Sequence, residues 1–346
     1  MAARAFIFVT GPPARAFRRE LVLRSSLMPA SSFPRSLGAF LLGNAAAAPG
    51  TPSTRERGWL FKGALAVFAG AIGFSIAGMV LLLVVPASKD FFGPYLQTLV
   101  VAPTWAYMAL LGLLPLLIYG PLVGWRRALL FAALGCAIGG GSELVGTNVG
   151  LPFGEYLYTG WLGPKIAGDV PYFIPPSWFA MSLLSLDLAQ RVTGPSGRTR
   201  WRRILLATTF MVLWDVSLDP AMNGAGVATS PFSLGMEMFW TYPPADAFKF
   251  YYGMPLSNWL GWFAVTFLIV CTYEFVAGGL PTESRWAPPV YLLNCLFPIV
   301  LCAMYGLFIP AAVGAVAAAI PLAAAYRAER RAAEREDPEV TVSARA

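Results

Sequence analysis

Asp215 and Asp219 stand four residues apart in the run WDVSLDP, a spacing that puts both carboxyls on one helix face, one turn apart. Acids inside an apolar run are expensive in lipid and mark either a functional site or a buried pair. Two carboxyls crowded together in apolar surroundings resist ionising together, so one is expected to hold its proton near neutral pH. A proton held beside an apolar cavity suits donation to an alkene, which leaves a tertiary carbocation. Glu143, at the end of a separate apolar run, is a third acid of this kind. Aromatic faces stabilise cations, and Tyr156, Tyr158 and Trp161 follow Glu143 within one glycine-rich segment. Asn148 and Asn223 offer amides that can hold a water, with Asn258 a further amide of the same type. Glu155 is counted with them as a substrate contact, although its loop position also suits a solvated role.

A plainer account exists for each residue. Asp219 precedes Pro220 and can simply end a helix, Glu143 fits headgroup depth, and aromatic residues gather at membrane interfaces in proteins of every function. Taken alone, these residues leave catalysis, transport and structure all open. Glu274 and Asp187, near the opposite ends of their apolar runs, suit structural roles. Asp169, Glu237 and Asp246 suit solvated loops or turns.

The elements that must position these residues are membrane-spanning helices. Of the 346 residues, 57% are hydrophobic and 12% charged, with a mean hydropathy of +0.61, outside ordinary soluble composition. The apolar runs are continuous, which fits helices and not the alternation of a barrel. The fold expected is all-α, a polytopic transmembrane bundle of about eight spans in a cell membrane. The spans are Leu60 to Val85, Leu96 to Tyr119, Ala128 to Leu144, Ser177 to Leu188, Ile204 to Leu218, Pro255 to Val276, Pro289 to Ile309 and Ala311 to Tyr326. Pro220 is expected to stop the fifth span, and Pro310 to separate the last two. Residues 1–57 read as a disordered basic tail, 58–326 as the membrane domain and 327–346 as a charged tail.

The chain has no histidine. Histidine-ligated iron, haem and zinc chemistries are thereby disfavoured, and with them a redox or metal-hydrolase reading. The catalytic acid then falls to a carboxyl, tyrosine or lysine. The four cysteines lie in apolar runs without C-x-x-C spacing and read as core residues.

A net charge of +7 need not imply nucleic acid, because the positive-inside rule accounts for it. With the N-terminus inside, all but Lys89, Lys165 and Lys249 of the 25 lysines and arginines fall on the inner side. Both termini are therefore expected to be cytoplasmic. The same threading brings Glu143, Asp215, Asp219 and two glycine-aromatic segments, 145–175 and 220–254, to the outer face together.

The run ELVGTNVGLPFGEYLYTGWLGPKIAGDVPYFIPPSW, followed by WDVSLDPAMN and YYGMPLSNWLGWF, resembles the carotenoid-biosynthesis membrane family that includes carotenoid 1,2-hydratases and bisanhydrobacterioruberin-type hydratases. The resemblance covers roughly residues 60 to 325. It implies cofactor-free addition of water across the terminal C1,C2 double bond of an acyclic carotenoid. Lycopene, γ-carotene or a C50 analogue would be the substrate, with membrane lipid around the chain and no nucleic-acid partner. In that reaction Glu143 or Asp215 would donate the proton, and Asp219 with Asn148 or Asn223 would position water. The polyene itself would need an apolar tunnel. The rivals are a carotenoid cyclase that uses the same protonation, a proton-coupled transporter, and a scaffold for other enzymes.

Overall fold

The computed structural model of the chain describes residues 36–41, 58–224, 238–243 and 249–336. Most of the tail expected over 1–57, the last ten residues, and Glu237 and Asp246 lie outside them. Among the described residues the chain is a bundle of eight long helices. A helical turn, α1 (Leu37–Leu41), precedes α2 (Trp59–Val84), short α3 (Ser88–Phe92), α4 (Leu96–Val123) and α5 (Trp125–Val149). Then come α6 (Ile174–Thr193), α7 (Arg200–Met222), α8 (Leu256–Ala277), α9 (Ala287–Met304) and α10 (Phe308–Glu336). Seven of the long helices are long and apolar enough to cross a membrane, so the chain is a multi-pass membrane protein.

The eighth, α6, is 20 residues long and more polar. It touches α4, α5, α7, α8, α9 and α10, and Ser182, Ser185 and Asp187 on it are fully buried. A helix sheathed in protein need not be lipophilic all round, which explains how serines and an aspartate are tolerated there. It is also longer than expected at its start, because Pro175 and Pro176 lie in its first turn, where a missing N–H costs nothing.

Two proline boundaries differ from expectation. α7 runs through Pro220 to Met222. In a last turn a proline forfeits a single bond, and the helix closes on Asn223, whose backbone N–H and side-chain amide reach the Asp219 carbonyl at 2.9 and 2.8 Å. The break between the last two helices falls at Gly306 (φ +73°), where the chain turns left-handed. Pro310 sits in the first turn of α10 instead.

Close approach of α5 to α6 depends on glycine. A Cβ on Gly139 would stand 2.4 Å from Cγ of Trp178, so only a bare backbone fits. At the far end of the bundle from Asp219, buried ions are paired. Arg203 grips Glu274 with two bonds of 2.6 Å. Asp187 accepts from Arg191 at 2.8 Å, from the Tyr119 hydroxyl at 2.7 Å and from the Ser284 backbone at 2.7 Å, and Arg191 also bonds Glu329 of α10. These contacts agree with the structural reading of Glu274 and Asp187.

Candidate active site

Glu143 lies two turns from the end of α5 and is 5% exposed. Buried this deeply, its oxygens need hydrogen-bond donors, and they find three. Oε1 accepts from the Trp178 indole at 2.8 Å. Oε2 accepts from the Tyr158 hydroxyl at 2.9 Å and from the Tyr156 hydroxyl.

Those tyrosines are held by the segment between α5 and α6. Gly150 caps α5 in the left-handed conformation (φ +74°), and the chain turns back over the helix end. Burial then alternates along the extended stretch: Glu155 is exposed, Tyr156 buried, Leu157 exposed and Tyr158 half-buried, as a strand requires. Strand β1 (Leu157–Tyr158) pairs antiparallel with β4 (Trp240–Thr241), Tyr158 opposite Trp240. Between them in sequence, β2 (Lys165–Ile166) and β3 (Val170–Pro171) form a separate hairpin.

The β1–β4 pairing joins the two glycine-aromatic segments and brings a second set of donors to α7. Asp219, 2% exposed, accepts at Oδ1 from the Trp240 indole at 2.5 Å. Its Oδ2 accepts from the Tyr242 hydroxyl at 3.0 Å and from the Asn258 amide at 2.7 Å. Asn258 Nδ2 also stands 3.3 Å from Asp215 Oδ2. Among the described residues, the other oxygen of Asp215 has no hydrogen-bond partner.

Glu143, Asp219, Asn258, Tyr156, Tyr158 and Tyr242 share one cavity of about 90 Å³. Its remaining wall is largely aromatic, with Trp178 stacked on Trp262 at 4.4 Å and Trp214 edge-on to Trp262 at 5.8 Å. Burial, reinforced by the neighbouring carboxyls, pushes the Tyr156, Tyr158 and Tyr242 phenols upward. All three therefore remain hydrogen-bond donors through the neutral and mildly alkaline range.

The structure thus brings together Glu143, Asp219, Tyr156 and Tyr158 of the residues singled out from sequence. Asp215 stands beside Asn258 but outside the cavity wall. Asn223 is buried with its amide on the Asp219 backbone carbonyl, not on the carboxylate. Asn148 is exposed, and bonds the Leu144 carbonyl at 2.8 Å and Asp169 at 3.2 Å. It follows Glu143 by five residues, which at 3.6 residues per turn is roughly 140° around the helix. Glu155 points away by strand alternation, and Trp161 lines a second cavity that adjoins the first.

Six residues of this cavity were not singled out as site residues: Trp178, Trp214, Trp240, Tyr242, Trp262 and, beyond its mention as an amide, Asn258. A signal for Trp240 and Tyr242 exists in retrospect. Their i, i+2 spacing mirrors that of Tyr156 and Tyr158 and marks one face of an extended segment.

The profile of a family described as carotenoid biosynthesis protein matches residues 97–321. Bisanhydrobacterioruberin hydratase of Haloarcula japonica is 31% identical over 183 residues, which cover 52% of this chain and 56% of that protein. The chain therefore matches little more than half the length of that curated relative. No solved structure matches the chain.

Proposed function

Because this chain belongs to the carotenoid biosynthesis protein family, we propose that it is a carotenoid 1,2-hydratase. The observation that carries this reading is the pair of carboxyl groups, Glu143 and Asp219, each held by three donors and both facing one aromatic-walled cavity. Groups fixed this firmly lose little to reorganisation when charge develops beside them.

In this reaction the Asp215–Asp219 pair carries one proton, and Asp219, the member in the cavity wall, delivers it. The C1,C2 π electrons form the new C2–H bond, leaving the positive charge on tertiary C1. The faces of Trp178, Trp214 and Trp262 stabilise that cation. A water oxygen then bonds C1, and its released proton passes to Glu143. One molecule of water has been added, and no electrons have been exchanged with any cofactor. The cycle closes when the proton returns from Glu143 to the aspartate pair. Tyr156 and Tyr242, whose rings lie 5.9 Å apart, lead from one carboxyl to the other.

The fixed donors favour this reading over a scaffold, in which Glu143 and Asp219 would be dispensable. The test is the purified chain with lycopene in ¹⁸O-labelled water. A product heavier by one labelled water is expected. An isomer of unchanged mass would mean cyclisation and would overturn the proposal. Glu143→Gln and Asp219→Asn should each lower the rate by roughly 10²- to 10⁴-fold, the usual contribution of a general acid or base.

A further inference from the structure

A cavity of about 90 Å³ has the volume of roughly three liquid waters, well below the ~300–1,000 Å³ of ordinary small-molecule sites. It can admit the end of a long substrate and a water, but not the substrate's body. A second cavity of about 370 Å³ lies next to it. Thr104, Phe239 and Phe297 line both, so the two spaces meet at those three side chains. Among the described residues, no charged side chain lines the second cavity. Its outer wall is formed by α2, a candidate span, where Phe74 is 52% and Leu81 40% exposed. Exposed apolar residues on a membrane span face lipid, so the α2 side of this cavity adjoins the bilayer.

We propose that the second cavity binds the apolar polyene chain of the substrate, which enters laterally from the membrane past α2 and passes its end group between Thr104, Phe239 and Phe297 to reach Glu143 and Asp219. The ligand class is a long acyclic isoprenoid without charged groups. A charged ligand would find no counter-charge along these walls. The end-group chemistry rests on the hydratase reading, whereas occupancy of the second cavity by an apolar chain can be tested without it.

Gly78 supplies the test. It lines the second cavity, and a Cβ built on it meets nothing within 4 Å, so a side chain there takes up cavity space without displacing a neighbour. Gly73, on the same helix, is equally open and lies outside the cavity wall. The full chain would be produced in a lycopene-accumulating host and purified in detergent, and bound lycopene measured per protein by visible absorbance, with product measured by mass. Gly78→Trp should lower bound lycopene at least tenfold and product with it, while Gly73→Trp retains both. Gly78→Leu, a smaller plug, should fall between and keeps the comparison informative if the tryptophan variant fails to elute as a single species. Equal lycopene in wild type and both Gly78 variants, or an equal loss in Gly73→Trp, would overturn the proposal. A wild-type chain that hydrates lycopene with no sensitivity to Gly78 defeats this inference and leaves the hydratase reading standing. Binding that depends on Gly78 with no hydrated product defeats the hydratase reading and leaves the binding site standing.

Discussion

Asn258 donates its amide to Asp219 at 2.7 Å and lies 3.3 Å from Asp215 through the same nitrogen. A single side chain from α8 therefore ties together two acids one turn apart on α7. Its removal leaves Asp219 with the Trp240 and Tyr242 donors only. Hydrogen bonds to charged groups are worth about 1.5–3 kcal/mol. Asn258→Leu is accordingly expected to slow hydrated-product formation by roughly 10- to 100-fold, measured as initial rate by mass-resolved chromatography, with Glu143 and its three donors undisturbed.

Gly139→Ala tests the close helix contact. The added methyl would meet Trp178 at 2.4–2.5 Å, and overpacking of this kind costs about 1–3 kcal/mol. Because Trp178 is also a donor to Glu143, the substitution should lower activity as well as thermal stability. An exposed-glycine control on the same helix, Gly141→Ala, meets nothing within 4 Å and should change neither.

Alkaline pH should destabilise the fold through the buried phenols. Tyr156 and Tyr242 are each 5% exposed, and burial pushes both upward from the ordinary value. Below a pH of about 10 the phenol proton is bound in folded and unfolded chain alike, so the stabilisation is intact. Above it the unfolded chain releases protons that the folded chain keeps, and stability falls by about 1.4 kcal/mol per pH unit for each such group. Thermal unfolding in detergent between pH 10 and 11 should show the drop, and Tyr156→Phe should make it shallower.

The Arg203–Glu274 pair is expected to behave as a buried unit. Arg203→Ala removes both short bonds to a fully buried carboxylate, leaving it only the Arg200 guanidinium at 3.8 Å, and should cost about 3–5 kcal/mol, whereas the double change Arg203→Met with Glu274→Leu should cost far less. Comparison of the melting temperatures of the two variants checks this.

We propose that both termini lie on the cytoplasmic side: counting α6 beside the seven candidate spans makes the number of crossings even, and Arg198, Arg200, Arg202 and Arg203 cluster at one end of the bundle. A fluorescent-protein fusion at the C-terminus should glow, and an alkaline-phosphatase fusion there should be inactive.

Much of the candidate site was legible because carboxyls in apolar runs are conspicuous, as with Glu143 and Asp219, and because Tyr156 and Tyr158 alternate close behind Glu143. Trp240 and Tyr242 were obscured because their position depends on a two-residue strand pairing with a segment some eighty residues away. No hydrophobic period announces so short a ladder. Trp178 and Asn258 look in sequence like an interfacial aromatic and a helix-start amide, and acquire their roles only when Gly139 lets α5 close on α6 and when α8 packs on α7. Asn148 failed for a local reason, its angle around α5. Pro220 misled because proline ends helices from within but is tolerated at the last turn.

The enclosure of α6 on every side bears on how the chain is made. Its serines and Asp187 leave it ill-suited to rest alone in lipid, and one of its wrappings, α10, is synthesised more than a hundred residues after it. Arg191 gains its Glu329 partner only when α10 arrives. Insertion of α6 is therefore completed by helices that follow it off the ribosome, and a chain cut short before α10 would leave a half-dressed helix to cellular quality control.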